Sequence, residues 1–337
     1  KPITIKKREK KPQQQQKTHQ RSHCVLVRLL KLHNARAYLA SSPRIGLEHV
    51  HRSNWCYQSQ VACNSSCKGP DSWHDVHEDC TKDKQSPINI VTRKTKLDHK
   101  LTPLIFRGYQ EVFSGNLKNN GHSVKVSVPH LANVSGGDLR ATYKAVQFHF
   151  HWGEQGGPGS EHTIDGEQYP MEMHIVHMRQ DFKSLEEALK DKTGVAVLGF
   201  FYEESRSANR KYDKLIQALT KVEHPDTNTT LSDISLSSLI SSEENMTKYY
   251  RYEGSLTTPS CTESVVWTVF EHPIPLSKEQ LSAFSSLKFT DGKPMIKTFR
   301  PVQPYKGRIV HRSGSTVVMI SFTLLLVCSA LGLSQLY

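Results

Sequence analysis

Short apolar runs separated by turn residues dominate the middle of the chain. Ser123–Val128, Ala145–Trp152, Met171–Met178 and Val195–Phe201 each gather β-branched and aromatic residues over about the length of a strand, with Gly, Pro and Asn between them. This pattern predicts a β-dominated domain. Helices are predicted to be short and peripheral. Ser184-x-x-Glu187 before Ala188-Leu189, and Ser277-x-x-Gln280 before Leu281 and Phe284, are capping boxes. Tyr212, Leu215, Ile216 and Leu219 have the spacing of one helix face. No repeat and no shift in composition interrupts residues 81–305, so they read as one domain. Residues 53–80, rich in Cys, Ser, Asn and Gly, read as a stapled, loop-like leader to it.

The pattern changes at both ends. Residues 1–52 carry a Gln13–Gln16 tract and few periodic apolar positions. Such a composition buries too little apolar surface to offset ordering, which predicts a disordered basic tail, a precursor segment or a gene-model artefact. Cys24–Leu30 is the nearest approach to a signal-peptide core, and Arg28 breaks it. At the other end, Val317–Leu333 is largely apolar and uncharged, and Ser313, Gly314 and Ser315 precede it. Small residues followed by an apolar terminal stretch are the features of a GPI-anchor signal, although the usual polar spacer of about 8–12 residues is almost absent. A single transmembrane helix is the alternative. The run is near the short end of the spanning range and no basic residues follow it, which favours an anchor attached at Ser313 or Gly314, with 314–337 as its propeptide.

Charge and cysteine usage refine this picture. The net charge of +12 suggests a nucleic-acid partner, but residues 1–52 hold 13 Lys or Arg against 2 Asp or Glu, and the rest holds 31 against 30. The domain itself is nearly neutral, so no nucleic-acid partner is expected for it. Of seven cysteines, Cys24 lies in the tail and Cys328 in the terminal apolar stretch. The five between them form an odd set, which leaves one unpaired or paired between chains. An extracellular address makes Asn64, Asn133, Asn228 and Asn245 candidate glycosylation sites, each in an Asn-x-Ser/Thr sequon.

The chemistry is concentrated in three histidines. His149 and His151 are spaced i, i+2, which sends both imidazoles to one face of a strand, and His174 on a neighbouring strand completes a three-nitrogen set. Zinc held by three protein ligands keeps a fourth position for water or substrate, as catalytic sites do. Gln147 and Glu172 stand two residues before His149 and His174, at the right parity to accept from the second ring nitrogen and fix the tautomer. A backbone carbonyl is expected to serve His151. Ser255–Cys261, with its Thr257-Thr258-Pro259 turn, reads by itself as ordinary loop chemistry.

Several ordered blocks together resemble the α-carbonic anhydrase family over roughly residues 53–313. They are Gln85–Ile90, Asn119–Ser123, Gln147–Gly153, Ser160–Thr163, Glu172–His177, and Ser255–Pro259 with Val265-Val266-Trp267. The leader Trp55-Cys56-Tyr57 and the cysteines Cys80 and Cys261 resemble its secreted, anchored branch. The resemblance implies a large, twisted, mostly antiparallel sheet with short surface helices. It implies Zn2+ on His149, His151 and His174, and reversible hydration of carbon dioxide to bicarbonate at the outer face of the cell membrane, with bicarbonate transporters as partners.

It also implies roles for further residues. Thr257 orients the attacking hydroxide and Glu161 accepts the Thr257 proton. His122 is the proton shuttle, and its ordinary pKa of about 6.5 suits exchange near neutral pH. Tyr57 and Asn120 belong to the solvent network leading to it. Val176, Val197, Leu256, Thr258, Val265 and Trp267 line the substrate pocket. The pairings implied are Cys80–Cys261 and Cys56–Cys67, with Cys63 free and Cys56–Cys63 as the alternative. Lys125, three residues after the shuttle, departs from the usual neutral polar residue, and its cation is expected to lower the His122 pKa or alter inhibitor binding.

Overall fold

The computed structural model describes residues 54–61, 67–129 and 131–314. The basic tail 1–52, Cys63, Asn64 and the apolar stretch Val317–Leu333 lie outside the described residues.

The short apolar runs form strands. In chain order these are β1 (Asn89–Ile90), β2 (Lys96–Asp98), β3 (Leu104–Arg107), β4 (Phe113–Asn119) and β5 (Val124–Ser127). There follow β6 (Asn133–Gly136), β7 (Tyr143–Trp152), β8 (Thr163–Ile164), β9 (Met171–Arg179) and β10 (Val195–Ser205). The last five are β11 (Asn228–Ile234), β12 (Tyr249–Gly254), β13 (Val265–Phe270), β14 (Ile274–Ser277) and β15 (His311–Ser313). Thirteen of them make one sheet whose main path runs β11-β4-β5-β7-β9-β10-β13-β12-β15-β2. Neighbours on that path are antiparallel except β10–β13 and β15–β2. The result is the large, twisted, mostly antiparallel sheet that was expected.

The centre of the sheet explains why β9 and β10 read as continuous apolar runs. Both are covered on both faces, so alternation is lost. One face carries Met173, Ile175, Leu198 and Phe200 into the larger core. The other carries Val176, Val197, Val265 and Trp267 into a smaller cluster. His174 and Glu172 have the parity of Val176, which places them on the smaller-cluster face.

Among the described residues, α-helices are confined to Leu185–Ala188, Asp213–Leu219, Leu236–Leu239 and Lys278–Ala283, with short 3-10 turns besides. Ser277 and Gln280 form a complete reciprocal cap. At Ser184 only half of the box forms, because the Glu187 carboxylate reaches one residue further back to the Lys183 N–H. Tyr212, Leu215 and Leu219 are buried and Ile216 half-buried, as one helix face requires. Among the described residues two disulfides, Cys56–Cys67 and Cys80–Cys261, tie the leader to itself and to the loop before β13. Asn228 and Asn245 are exposed and Asn133 is half-buried in β6.

Candidate metal centre

Strand register brings the histidines together. Lys125 of β5, His149 of β7, His174 of β9 and Gly199 of β10 lie in one row across four strands. In the next, His151 stands opposite Glu172. The first row's β10 member is a glycine for a steric reason. A Cβ at position 199 would come within 3.3 Å of Glu172 Oε1, the atom that supports His174.

Each imidazole has one nitrogen engaged and one left over. His149 Nδ1 bonds Gln147 Oε1 at 2.9 Å, His151 Nδ1 donates to the Thr298 carbonyl at 2.6 Å, and His174 Nε2 bonds Glu172 Oε1 at 2.7 Å. His149 and His151 therefore offer Nε2, and His174 offers Nδ1. The ligand atoms of this triad lie within 4.8 Å of one another. His151 Nε2 is buried without a hydrogen-bond partner. A buried imidazole nitrogen left unpaired is costly unless a cation or solvent satisfies it, so the donor set fits a metal ion. His162, Glu172 and His174 also come close enough for a metal. There the facing atoms already bond one another, His162 Nδ1 to Glu172 Oε1 at 2.7 Å, which leaves no free set.

The electrostatics favour neutral ligands. Burial lowers the pKa of all three histidines, and neighbouring imidazoles lower those of His149 and His151 further. His151 falls to about 3. Burial pushes Glu172 up, but His162 and His174 more than offset it and hold the carboxylate well below its ordinary range. Its Oε2 also accepts from the backbone N–H groups of Glu161 and His162. Four donors on one buried carboxyl keep it ionised. Burial raises Glu161, while the Arg300 N–H at 2.9 Å and the Thr257 hydroxyl beside it oppose the rise. Glu161 Oε2 makes no well-formed hydrogen bond and lies 3.4 Å from His151 Nε2 and 3.9 Å from His174 Nδ1. A cation on those nitrogens would favour the ionised carboxylate.

The remaining site residues surround this centre unequally. Val176, Val197 and Trp267 form a row across β9, β10 and β13, with Val265 buried on the same face and half-buried Leu256 packed on the cluster. The Trp267 ring lies 4.8 Å from that of His174, so the wall reaches the centre. Thr257 is buried and Thr258 half-buried. Tyr57 is fully buried, its hydroxyl unpartnered and its pKa raised by burial and by the Glu161 charge. Asn120 is exposed, and its side-chain oxygen accepts from the N–H groups of His122 and Ser123, which commits it to the turn.

His122 differs most from expectation. Its ring stacks on Trp55 at 3.9 Å and 14°, and its Nδ1 is buried without a partner. Burial lowers its pKa from 6.5 to about 4. Lys125 is not the cause. Its charge acts on His149, opposite it in the row.

Several supporting residues escape a reading by local spacing. Thr298 is 147 positions from the histidine it supports. His162 bonds Tyr252 through Nε2 at 2.6 Å, and Tyr252 in turn donates to Ser86 Oγ. The signal for His162 is its place directly after Glu161, but nothing in the sequence pairs it with β12.

Three imidazoles with free nitrogens, fixed tautomers and an apolar wall define a metalloenzyme centre rather than a structural metal knot. Comparison with known proteins gives the family. The model of the eukaryotic-type carbonic anhydrases matches residues 68–314, and the chain belongs to that family and is an enzyme of it. It is similar to carbonic anhydrase 4 of Rattus norvegicus, 40% identical over 89% of this chain and 94% of the relative. Carbonic anhydrase 4 of Oryctolagus cuniculus is 44% identical over 79% of this chain and 85% of its own. Carbonic anhydrase 7 of Mus musculus is 39% identical over 73% of this chain and 94% of its own.

Proposed function

We propose that this chain catalyses the zinc-dependent, reversible hydration of carbon dioxide to bicarbonate and a proton, at the extracellular face of a membrane to which a GPI anchor attaches it. The convergence of three neutral, oriented imidazoles carries the reading. His149 Nε2, His151 Nε2 and His174 Nδ1 would hold the ion. Zinc in such a site supplies a hydroxide-strength nucleophile near neutral pH by lowering the pKa of water to about 7, a case for which carbonic anhydrase is itself the standard example.

The protein supplies orientation, dryness and a proton path. With its O–H donated as a hydrogen bond to Glu161, the Thr257 hydroxyl can only accept, so it would select an attacking oxygen whose O–H points at it and whose lone pair points at carbon. Carbon dioxide is apolar, and the Val176, Val197, Leu256, Val265 and Trp267 wall offers it contact without competing water. Half-buried Thr258 is the polar member of this pocket. One proton must leave per turnover, and His122 is the shuttle. Stacked under Trp55 with a pKa of about 4, the ring is neutral at pH 7 and holds a proton poorly. To accept one near neutrality it would have to leave the Trp55 stack for water.

Two outcomes test the shuttle. His122→Ala should slow turnover in weakly buffered solution, leave isotope exchange between carbon dioxide and bicarbonate nearly intact, and respond to added imidazole. Trp55→Ala should raise the His122 titration, followed by NMR, from about 4 towards about 6.5. Equal losses in both assays for His122→Ala would mean that the ring shapes the site and carries no proton.

The anchor reading rests on the small residues before Val317–Leu333. Ser313 is buried in β15, where its hydroxyl donates to the Thr247 carbonyl and accepts from the Tyr249 N–H. Half-exposed Gly314 is thus the better of the two attachment points. Phosphatidylinositol-specific phospholipase C should release active enzyme from intact cells. Activity that stays on the membrane, in a chain retaining Val317–Leu333, would mean a transmembrane segment instead. Bicarbonate transporters are the partners this placement favours.

A further inference from the structure

A cavity of about 410 Å³ opens beside β12 and β15, and three arginines line it: Arg140, Arg251 and Arg308. Among the described residues, none of the three has a carboxylate within 4.0 Å. Arg251 is only 8% exposed. Its Nε donates to Thr268 Oγ1 and its Nη1 to the Gly137 carbonyl, both neutral, and its Nη2 is buried with no partner. Arg308 donates only to backbone carbonyls, those of Tyr305, Glu253, Gln85 and Pro304. Arg140 is exposed.

The acids around the cavity do not balance these charges. Glu253 is taken by Lys84 at 2.8 Å, and Asp98 lies 3.5 Å from His311. Neutral His311 cancels no charge, which leaves Asp98 and exposed Asp138 against three guanidiniums. A desolvated guanidinium with a spare N–H gains most from a charged oxygen acceptor, and arginine clusters suit tetrahedral oxyanions because several N–H groups can converge on them. The cavity also has a position in the chain that bears on its ligand. His311 lines it and stands a few residues before the apolar stretch that begins at Val317, and Ile309, also in the lining, is 45% exposed.

We propose that this cavity binds a phosphate-type oxyanion, either free phosphate or the phosphate of a lipid headgroup. The site goes beyond the hydration reading and does not depend on it. Only the lipid source draws on the anchoring reading.

Calorimetric titration of the purified, zinc-loaded protein tests it, with inorganic phosphate in one arm and a soluble short-chain phosphatidic acid in the other. Both should bind. Tighter binding of the phosphatidic acid identifies a lipid headgroup as the source, and equal binding identifies free phosphate. Arg251→Gln should weaken binding about tenfold or more, as loss of a charge-assisted partner does. Arg140 is exposed, so Arg140→Gln leaves the fold intact and decides the matter if Arg251→Gln does not fold; about threefold weakening is expected. No binding in either arm, or affinity unchanged in every folded variant, overturns the proposal.

Discussion

His174→Ala should abolish tight zinc binding, and Glu172→Gln should weaken it by about 10–100-fold while the fold survives, the usual cost of losing a ligand's supporting partner. The first result follows from the donor count, since two imidazoles and water cannot replace three converging nitrogens. The second follows from Glu172 itself. Its Oε1 fixes the His174 tautomer at 2.7 Å and meets His162 at the same distance, while Oε2 accepts two backbone N–H groups. A glutamine keeps one oxygen and turns the other position into a donor. It must then face either imidazole or backbone donors with an N–H, so the ring of His174 loses its anchor or the Glu161–His162 turn loses its acceptor. Zinc content by mass spectrometry, with chelator competition for affinity, reads the difference. Equal affinity in Glu172→Gln and wild type would show that the carboxylate only fills space.

The strands and the ligand parity were legible because both are local. A period of two puts Gln147 with His149 and Glu172 with His174, and the side chains do meet. The order of the strands was not legible. It depends on pairings such as β10 with β13, which join segments far apart in sequence. The same limit hides the Thr298 carbonyl and the His162–Tyr252 contact. The pKa of His122 could not be read either. A histidine after an Asn-Gly turn looks solvated, yet its ring stacks on Trp55 of the leader and is largely buried. Ser313 is a similar case. Three small residues before an apolar run suggest an accessible linker, yet its hydroxyl is bonded within the sheet.

Replacing Cys80 and Cys261 by serine should lower stability by about 2–5 kcal/mol and lower turnover as well. The stability loss follows from the separation of 181 residues that the bond closes, since a long loop forfeits more chain entropy when unfolded. The turnover loss follows from what the two cysteines carry. The Cys261 carbonyl accepts from Gln85 Nε2, and the Cys80 carbonyl accepts from Arg300 Nη2. Gln85 and Arg300 are themselves joined, Nη1 to Oε1 at 2.8 Å. The backbone N–H of Arg300 then donates to Glu161 Oε1, and Glu161 is the acceptor on which Thr257 depends. Loosening the staple therefore loosens the carboxylate on which the proposed orienting role of Thr257 depends. Thermal unfolding and hydration rate, measured below the unfolding transition of the variant, separate the two effects. A lowered melting temperature with an unchanged rate would confine the disulfide to stability. A lowered rate with zinc affinity retained would place its influence on Thr257 and Glu161, because the three histidines stand on β7 and β9, which the bond does not touch.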